Sequence, residues 1–61
     1  MGNELKTIRK AKGLTLDAAA EAMGVSRGQF IKLERGERRM NADYIARAAR
    51  AFGVTPAAVL G

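Results

Sequence analysis

A three-residue break at residues 24–26, reading Gly-Val-Ser, separates two stretches of helical periodicity and constrains the fold more than any other feature. Apolar residues recur before and after it at the spacing of one helix face, namely Ala19, Ala20, Met23, Phe30 and Leu33. Gly24 can end a helix in the left-handed conformation without a Cβ penalty. Ser26 and Gln29, three residues apart, match a capping box that begins the next helix. The stretch therefore predicts a helix, a short turn and a second helix.

Small and apolar side chains around this break predict that the two helices cross closely. Ala20 lies where a larger side chain would hold the helices apart, and Val25 in the turn is apolar and has only the core to enter. This is the helix-turn-helix pattern, whose second helix lies in the DNA major groove in proteins that use it for DNA binding. The alternative at this point is a plain helical hairpin without that role.

Length, composition and charge restrict the functions open to the chain. Its 61 residues predict one domain, 1–61, which is too small for a buried catalytic cleft of ordinary size. The absence of Cys and His excludes disulfides, thiolate or imidazole metal sites and nucleophile–histidine catalysis. We therefore expect no enzyme activity, no metal and no cofactor. Eleven Lys and Arg against six Asp and Glu give a net charge of +5, which favours a polyanionic partner.

Two further features of the sequence bear on catalysis and on membrane attachment. Asp17 and Glu21 are four residues apart and could form a catalytic pair, but solvated acids on a surface helix are the better interpretation because we expect no pocket. The sequence has no apolar run long enough to cross a bilayer and no hydrophobic signal sequence. We therefore expect a cytoplasmic protein.

Start and stop signals divide the chain into five short helices with no strand pattern. Asn3 is the predicted N-cap of the first helix, which continues through about Lys12 and has Glu4 in its first turn. The other predicted helices are 16–23 after the cap Thr15, 27–35, one that follows the cap Asn41 and ends before Gly53, and a short one after Thr55 and Pro56. The fold class is therefore all-α.

The third and fourth helices each have a predicted core face and a predicted outer face. Counting 100° per residue turns Phe30 and Leu33 of the third helix toward the core. The outward residues are Arg27, Gly28, Ile31, Lys32 and Arg35. In the fourth helix the apolar stripe is formed by Ile45, Ala48, Ala49 and Phe52, with Arg47 and Arg50 on the far side.

Two residues of the outer face of the third helix are unusual there. Gly28 costs about 1 kcal/mol relative to alanine inside a helix. Either its backbone approaches something closely, such as a DNA strand or a base edge, or it is a neutral choice in the first turn. Ile31 could contact a thymine methyl group or lean onto a neighbouring helix.

The order of these elements resembles the Cro and phage-repressor type of helix-turn-helix domain from about Leu5 to Leu60. The residues that carry the resemblance are Leu5, Ile8-Arg9, Lys12-Gly13-Leu14-Thr15, Ala20-Glu21, Met23-Gly24-Val25-Ser26-Arg27, Leu33-Glu34-Arg35-Gly36, Ala49 and Phe52-Gly53-Val54. The resemblance implies a compact five-helix, lambda-repressor-like DNA-binding domain in which helices 2 and 3 form the helix-turn-helix.

The resemblance also implies roles for individual residues. The base-reading set would be Arg27, Gly28, Gln29, Ile31 and Lys32, with Arg27 the first choice for guanine because its paired donors match O6 and N7. Phosphate contacts would come from Thr15, Arg35, Arg38, Arg39 and Asn41. Arg9 and Glu34 correspond to an ion pair between the first and third helices. Dimer contacts would come from Pro56, Val59 and Leu60.

The chain departs from the family pattern at two places. Many relatives have a phosphate-binding glutamine at the start of the second helix, where this chain has Leu16, so that contact is expected to be missing or replaced. Ala19 stands where larger aliphatic residues are common, and Phe30 stands where isoleucine or valine is usual. We interpret this second departure as an exchange of volume between facing helices.

The predicted function is sequence-specific binding of double-stranded DNA by a transcriptional repressor, which occupies an inverted-repeat operator as a homodimer at least on DNA. The chain is then either complete or the N-terminal domain of a longer repressor. An antitoxin-type regulator that also binds a protein partner is one alternative. A basic binder of membrane surfaces or single-stranded RNA is another, although the chain has no Trp and its only Tyr, Tyr44, is not part of a stacking platform. No small-molecule ligand is expected.

Overall fold

The computed structural model describes residues 3–61, and this part of the chain forms five α-helices and no strand. The helices are α1 (Leu5–Ala11), α2 (Leu16–Met23), α3 (Arg27–Arg35), α4 (Ala42–Phe52) and α5 (Pro56–Leu60). This confirms the predicted fold class, and α2 and α3 have the predicted bounds. None of the helices described is both long and apolar enough to span a membrane.

The predicted start of the first helix is wrong by one residue. The N-cap is Glu4, not Asn3, so Glu4 does not lie in the first turn, and α1 ends at Ala11. The Asn3 side chain nevertheless accepts a hydrogen bond from the Leu5 N–H at 2.9 Å and donates from Nδ2 to the Leu33 carbonyl at 2.8 Å. Asn3 therefore caps the helix from the position before the N-cap and ties it to α3.

The other four helices begin at side-chain caps that the sequence indicates. The side-chain oxygens of Thr15, Ser26, Asn41 and Thr55 each accept a hydrogen bond from the N–H three residues later, at 2.8–3.1 Å. Gly24 ends α2 in the left-handed conformation, with φ of 72°. The capping box at Ser26 is only half formed, because the Gln29 amide donates to the Tyr44 hydroxyl of α4 instead of returning to Ser26.

Every helix contributes at least one side chain to a single hydrophobic core. Among residues 3–61 the buried apolar side chains are Leu5, Ala19, Ala20, Met23, Phe30, Leu33, Ala48, Phe52 and Val59. The interhelical hydrogen bond from the Glu4 N–H to the Val59 carbonyl, at 2.8 Å, fastens α5 to the start of α1. The core therefore holds α3 with one face inside and the other in solvent.

The structure corrects the predicted apolar stripe of α4. Ala48 and Phe52 are buried as predicted, but Ile45 is only half-buried and does not pack against the core. Tyr44 packs there instead. The reason is that the buried stripe is centred on Ala48, and the residue four positions earlier on the same face is Tyr44.

The structure also overturns one predicted dimer contact. Val59 is completely buried in the core of its own chain, so its side chain is not available to a second copy. Pro56 is exposed, and Leu60 is a large hydrophobic residue with 52% of its surface exposed. Of the three predicted residues, Pro56 and Leu60 are therefore the two that can meet a partner.

Arg9 and Glu34 join α1 to α3 by an ion pair. The Arg9 Nε donates to Glu34 Oε2 at 2.7 Å, and the Arg9 Nη1 donates to the Leu14 carbonyl at 3.1 Å. Only 14% of the Arg9 side chain and 9% of the Glu34 side chain are exposed. The predicted pair is thus present, and it is largely screened from water.

Candidate nucleic-acid interface

The solvent face of α3 carries most of the residues that the sequence suggests for base reading. Arg27, Gly28 and Lys32 are exposed, and Ile31 is half-buried without packing against the core. Phe30 on the opposite face is completely buried. The predicted division of this helix into an inner and an outer face therefore agrees with the burial of its side chains.

Gly28 has no structural reason within the chain to be glycine. It lies inside the helix, and a Cβ built on it would meet nothing within 4 Å. The protein's own packing thus leaves open space in front of this backbone. This space is open to an approaching molecule. It is therefore compatible with the interpretation that DNA comes close to the backbone of Gly28.

Gln29 differs from its neighbours because its side-chain amide is already bound within the protein. It is half-buried and donates to the hydroxyl of Tyr44, which is also half-buried. The contact joins the first turn of α3 to the first turn of α4. Sequence patterns gave no sign of this pairing, since the two residues are separated by 15 positions.

A second contact joins the beginnings of α2 and α3. Arg27 is the first residue of α3, and its Nε lies 3.3 Å from Oδ1 of Asp17 in the first turn of α2. Together with the Gln29–Tyr44 contact, this pair joins the first turn of α3 to the first turn of α2 and to the first turn of α4. The N-terminal ends of helices carry unsatisfied N–H groups and a partial positive charge, so this arrangement favours an anion in front of it.

The predicted phosphate-binding residues fall into two groups. The side-chain oxygens of Thr15 and Asn41 are used as the N-caps of α2 and α4, which places these exposed residues at two of the neighbouring helix ends. Arg38 and Arg39 are exposed in the connector between α3 and α4. Arg35 is also exposed, and its Nη1 lies 3.6 Å from Oε2 of Glu37.

The two ion pairs near this surface are largely exposed to solvent. The Arg27–Asp17 side chains are 61% and 80% exposed, and the Arg35–Glu37 side chains are 68% and 56% exposed. Exposed pairs of this kind contribute about 0–1 kcal/mol, because water and salt screen them. Both arginines are therefore accessible to a nucleic acid while these pairs are formed.

Arg47 is a structural residue whose full role the sequence did not reveal. Its Nε donates to Asp43 Oδ2 at 2.9 Å, and its Nη1 donates to the carbonyls of Met23 and Gly24 at 3.2 and 3.4 Å. The four-residue spacing from Asp43 could have indicated the ion pair. The carbonyl contacts, which fasten α4 to the end of α2, depend on how the helices pack.

An open depression of about 450 Å³ lies beside Arg47. It is lined by Ala22, Met23, Asp43, Arg47, Arg50 and Ala51. It extends from the end of α2 along α4, from Asp43 in the first turn to Ala51, and none of the residues predicted to contact DNA lines it.

Comparisons with known proteins agree with this geometry. A family model described as a helix-turn-helix domain matches residues 1–60. The crystal structure of the clp gene regulator ClgR from C. glutamicum is similar to this chain, with 38% sequence identity and a TM-score of 0.81. The match covers 87% of this chain and 69% of that chain. A comparison with curated proteins finds no match.

Proposed function

Since the chain belongs to the helix-turn-helix domain family, we propose that it is a transcriptional repressor that binds a specific sequence of double-stranded DNA. It is a DNA-binding regulator and not an enzyme. Repression requires only that the operator be occupied, and it needs no catalytic site. Its place of action would be the cytoplasm, where it meets the chromosome.

The observation that carries this proposal is the outer face of α3 together with the neighbouring first turns of α2 and α4. A helix whose inner face is buried and whose outer face is cationic can enter a major groove about 12 Å wide. The flanking helix ends then meet the phosphates on either side of the groove. The net charge of +5 adds a long-range attraction to the duplex.

Base reading is assigned to the outer face of α3. Arg27 at the start of the helix would contact guanine O6 and N7, and a good bidentate contact discriminates by about 1–3 kcal/mol. Lys32 is the second cation of this face, and Ile31 offers an apolar contact for a thymine methyl group. The open space at Gly28 lets the backbone approach the bases. Gln29 could contribute only with the part of its amide that Tyr44 does not occupy.

Phosphate binding is assigned to residues that flank this face. Thr15 and Asn41 lie at the ends of α2 and α4, where backbone N–H groups point outward. Arg35, Arg38 and Arg39 supply exposed cations at the end of α3 and in the following connector. These contacts would fix the orientation of the protein without reading sequence.

Specificity for an operator requires two domains, because one recognition helix reads only a few base pairs. We propose a homodimer on an inverted repeat, with recognition helices about 34 Å apart on one face of the duplex. Pro56 and Leu60 would form the contact between the two copies, supported by the exposure of Leu60. Val59 takes no part, because it is buried in its own chain.

The proposal is tested by selecting tightly bound sequences from a random pool of duplexes. Binding is then measured by fluorescence anisotropy with the selected duplex, a scrambled duplex, its single strand and anionic vesicles as competitors. We expect an inverted-repeat consensus, two chains bound per duplex, and weaker competition by the scrambled duplex, the single strand and the vesicles. A pool without a consensus, or equal competition by vesicles, would contradict the proposal.

A matched control separates the effect of a local phosphate contact from the effect of the net charge of the protein. Arg50 is an exposed arginine of α4 that lines the depression beside Arg47, outside the proposed interface. Arg50→Ala therefore removes the same charge as Arg38→Ala. We expect Arg38→Ala to weaken binding of every duplex more than Arg50→Ala does. Equal weakening by the two variants would count against the assignment of phosphate contacts.

A further inference from the structure

We propose that Asp17 is a positioning residue for base reading, acting through its ion pair with Arg27. The inference rests on the proposed function and adds to it a residue that the family resemblance does not assign. Asp17 belongs to α2, and its carboxylate lies 3.3 Å from the Nε of Arg27, the first residue of α3. The pair therefore links α2, whose N-cap Thr15 is assigned to phosphate binding, to the side chain assigned to guanine.

The position of the contact on the guanidinium leaves the guanine-binding atoms available. Asp17 approaches Nε, whereas the terminal nitrogens Nη1 and Nη2 form a pair of donors that can match guanine O6 and N7. A carboxylate at Nε restricts how the planar guanidinium can turn about its long side chain. Arg27 then loses less conformational freedom when it binds a base, so contacts with bases are favoured over contacts with phosphates.

The negative charge of Asp17 also favours base contacts of Arg27 over phosphate contacts. A carboxylate beside Arg27 repels phosphates and offsets part of the cation's attraction for the DNA backbone. Without it, Arg27 is free to bind any phosphate in reach, and such contacts carry no sequence information. Asp17 therefore lowers binding to arbitrary DNA and directs Arg27 toward a guanine.

The chain supplies a matched control for this charge. Glu21 lies one turn further along α2, is also exposed, and forms no ion pair with the residues that the structure describes. Asp17→Asn and Glu21→Gln remove the same charge from the same helix. Only Asp17→Asn also removes the group that holds Arg27.

The test measures the ratio of affinities for the selected and the scrambled duplex at several salt concentrations. Exposed ion pairs correspond to effects of up to about fivefold on an equilibrium, so we expect Asp17→Asn to lower this ratio by up to about that factor. Glu21→Gln should tighten binding to both duplexes alike and leave the ratio unchanged. In the Arg27→Ala background, Asp17→Asn should have no further effect on the ratio. Thermal melting followed by circular dichroism verifies that each variant is folded, and Asp17→Ser serves in place of Asp17→Asn if that variant is not.

The outcomes separate this inference from the proposed function. If Arg27→Ala lowers the ratio while Asp17→Asn changes it no more than Glu21→Gln does, the role of Asp17 is refuted and DNA reading by Arg27 stands. If Asp17→Asn lowers the ratio further in the Arg27→Ala background, Asp17 does not act through Arg27. If the unmodified protein binds both duplexes equally, the proposed function fails and this inference fails with it.

Discussion

The ion pair between Arg9 and Glu34 gives the sharpest prediction about stability. Glu34→Ala removes the carboxylate that accepts from Arg9 Nε at 2.7 Å and leaves that cation in a site where only 14% of its side chain meets water. The hydrogen bond from Arg9 Nη1 to the Leu14 carbonyl remains and keeps the arginine in place. The variant therefore retains a largely buried cation without its counter-charge.

The size of the effect follows from this burial. Hydrogen bonds to charged groups contribute about 1.5–3 kcal/mol, and a buried donor left unsatisfied loses its hydration as well. We expect Glu34→Ala to lower the free energy of unfolding by about 2 kcal/mol. A domain of this length has a total stability of about 3–9 kcal/mol, so the loss is a large fraction of it. With about 4–8 °C of melting temperature per kcal/mol, the shift would be about 8–16 °C.

The assay is urea unfolding followed by circular dichroism, with Glu37→Ala as the control. Glu37 pairs with Arg35 at 3.6 Å, but both side chains are more than half exposed, so its removal should change stability by less than about 0.5 kcal/mol. Replacing both members of the buried pair, by Arg9→Met with Glu34→Leu, should recover most of the loss. Equal effects of Glu34→Ala and Glu37→Ala would refute the reasoning.

Three further predictions concern single residues. Gly28→Ala should raise stability by about 1 kcal/mol, because a Cβ there meets nothing within 4 Å, and should weaken binding to the selected duplex. Unchanged binding would favour the neutral interpretation of this glycine. Gly24→Ala should lower stability by about 1–2 kcal/mol in urea unfolding, since φ is 72° and its Cβ would lie 3.0 Å from Arg47 Nη1. Ala19→Leu should lower stability by about 1–3 kcal/mol through overpacking of the core that Ala19 shares with Phe30; a higher melting temperature than the parent would contradict the volume exchange.

Local signals in the sequence were sufficient to predict the helices of this domain. Polar N-cap residues and glycines act within three or four residues of their own position, and for that reason the bounds of α2 and α3 could be predicted from the sequence. The start of α1 differs from the prediction because Asn3 makes its cap from the position before the N-cap, which a spacing rule does not distinguish.

Contacts between distant helices could not be predicted in the same way. The Gln29–Tyr44 hydrogen bond and the carbonyl contacts of Arg47 depend on the relative placement of helices far apart in sequence. The burial of Val59 was missed because α5 has only five residues, too few for periodicity to show which side faces the core. The ion pair of Arg9 and Glu34 was predicted from the family resemblance and from the position of both residues at the edges of the predicted buried stripes.

The central claim is that α3 reads bases while the connector after it holds phosphates. The most direct test compares Arg27→Ala with Arg39→Ala on the selected duplex and on a set of duplexes with single base-pair changes, at several salt concentrations. We expect Arg27→Ala to abolish the preference at one base pair, and Arg39→Ala to weaken binding to every duplex alike with a salt slope smaller by about one. Equal effects of the two substitutions on every duplex would contradict the account.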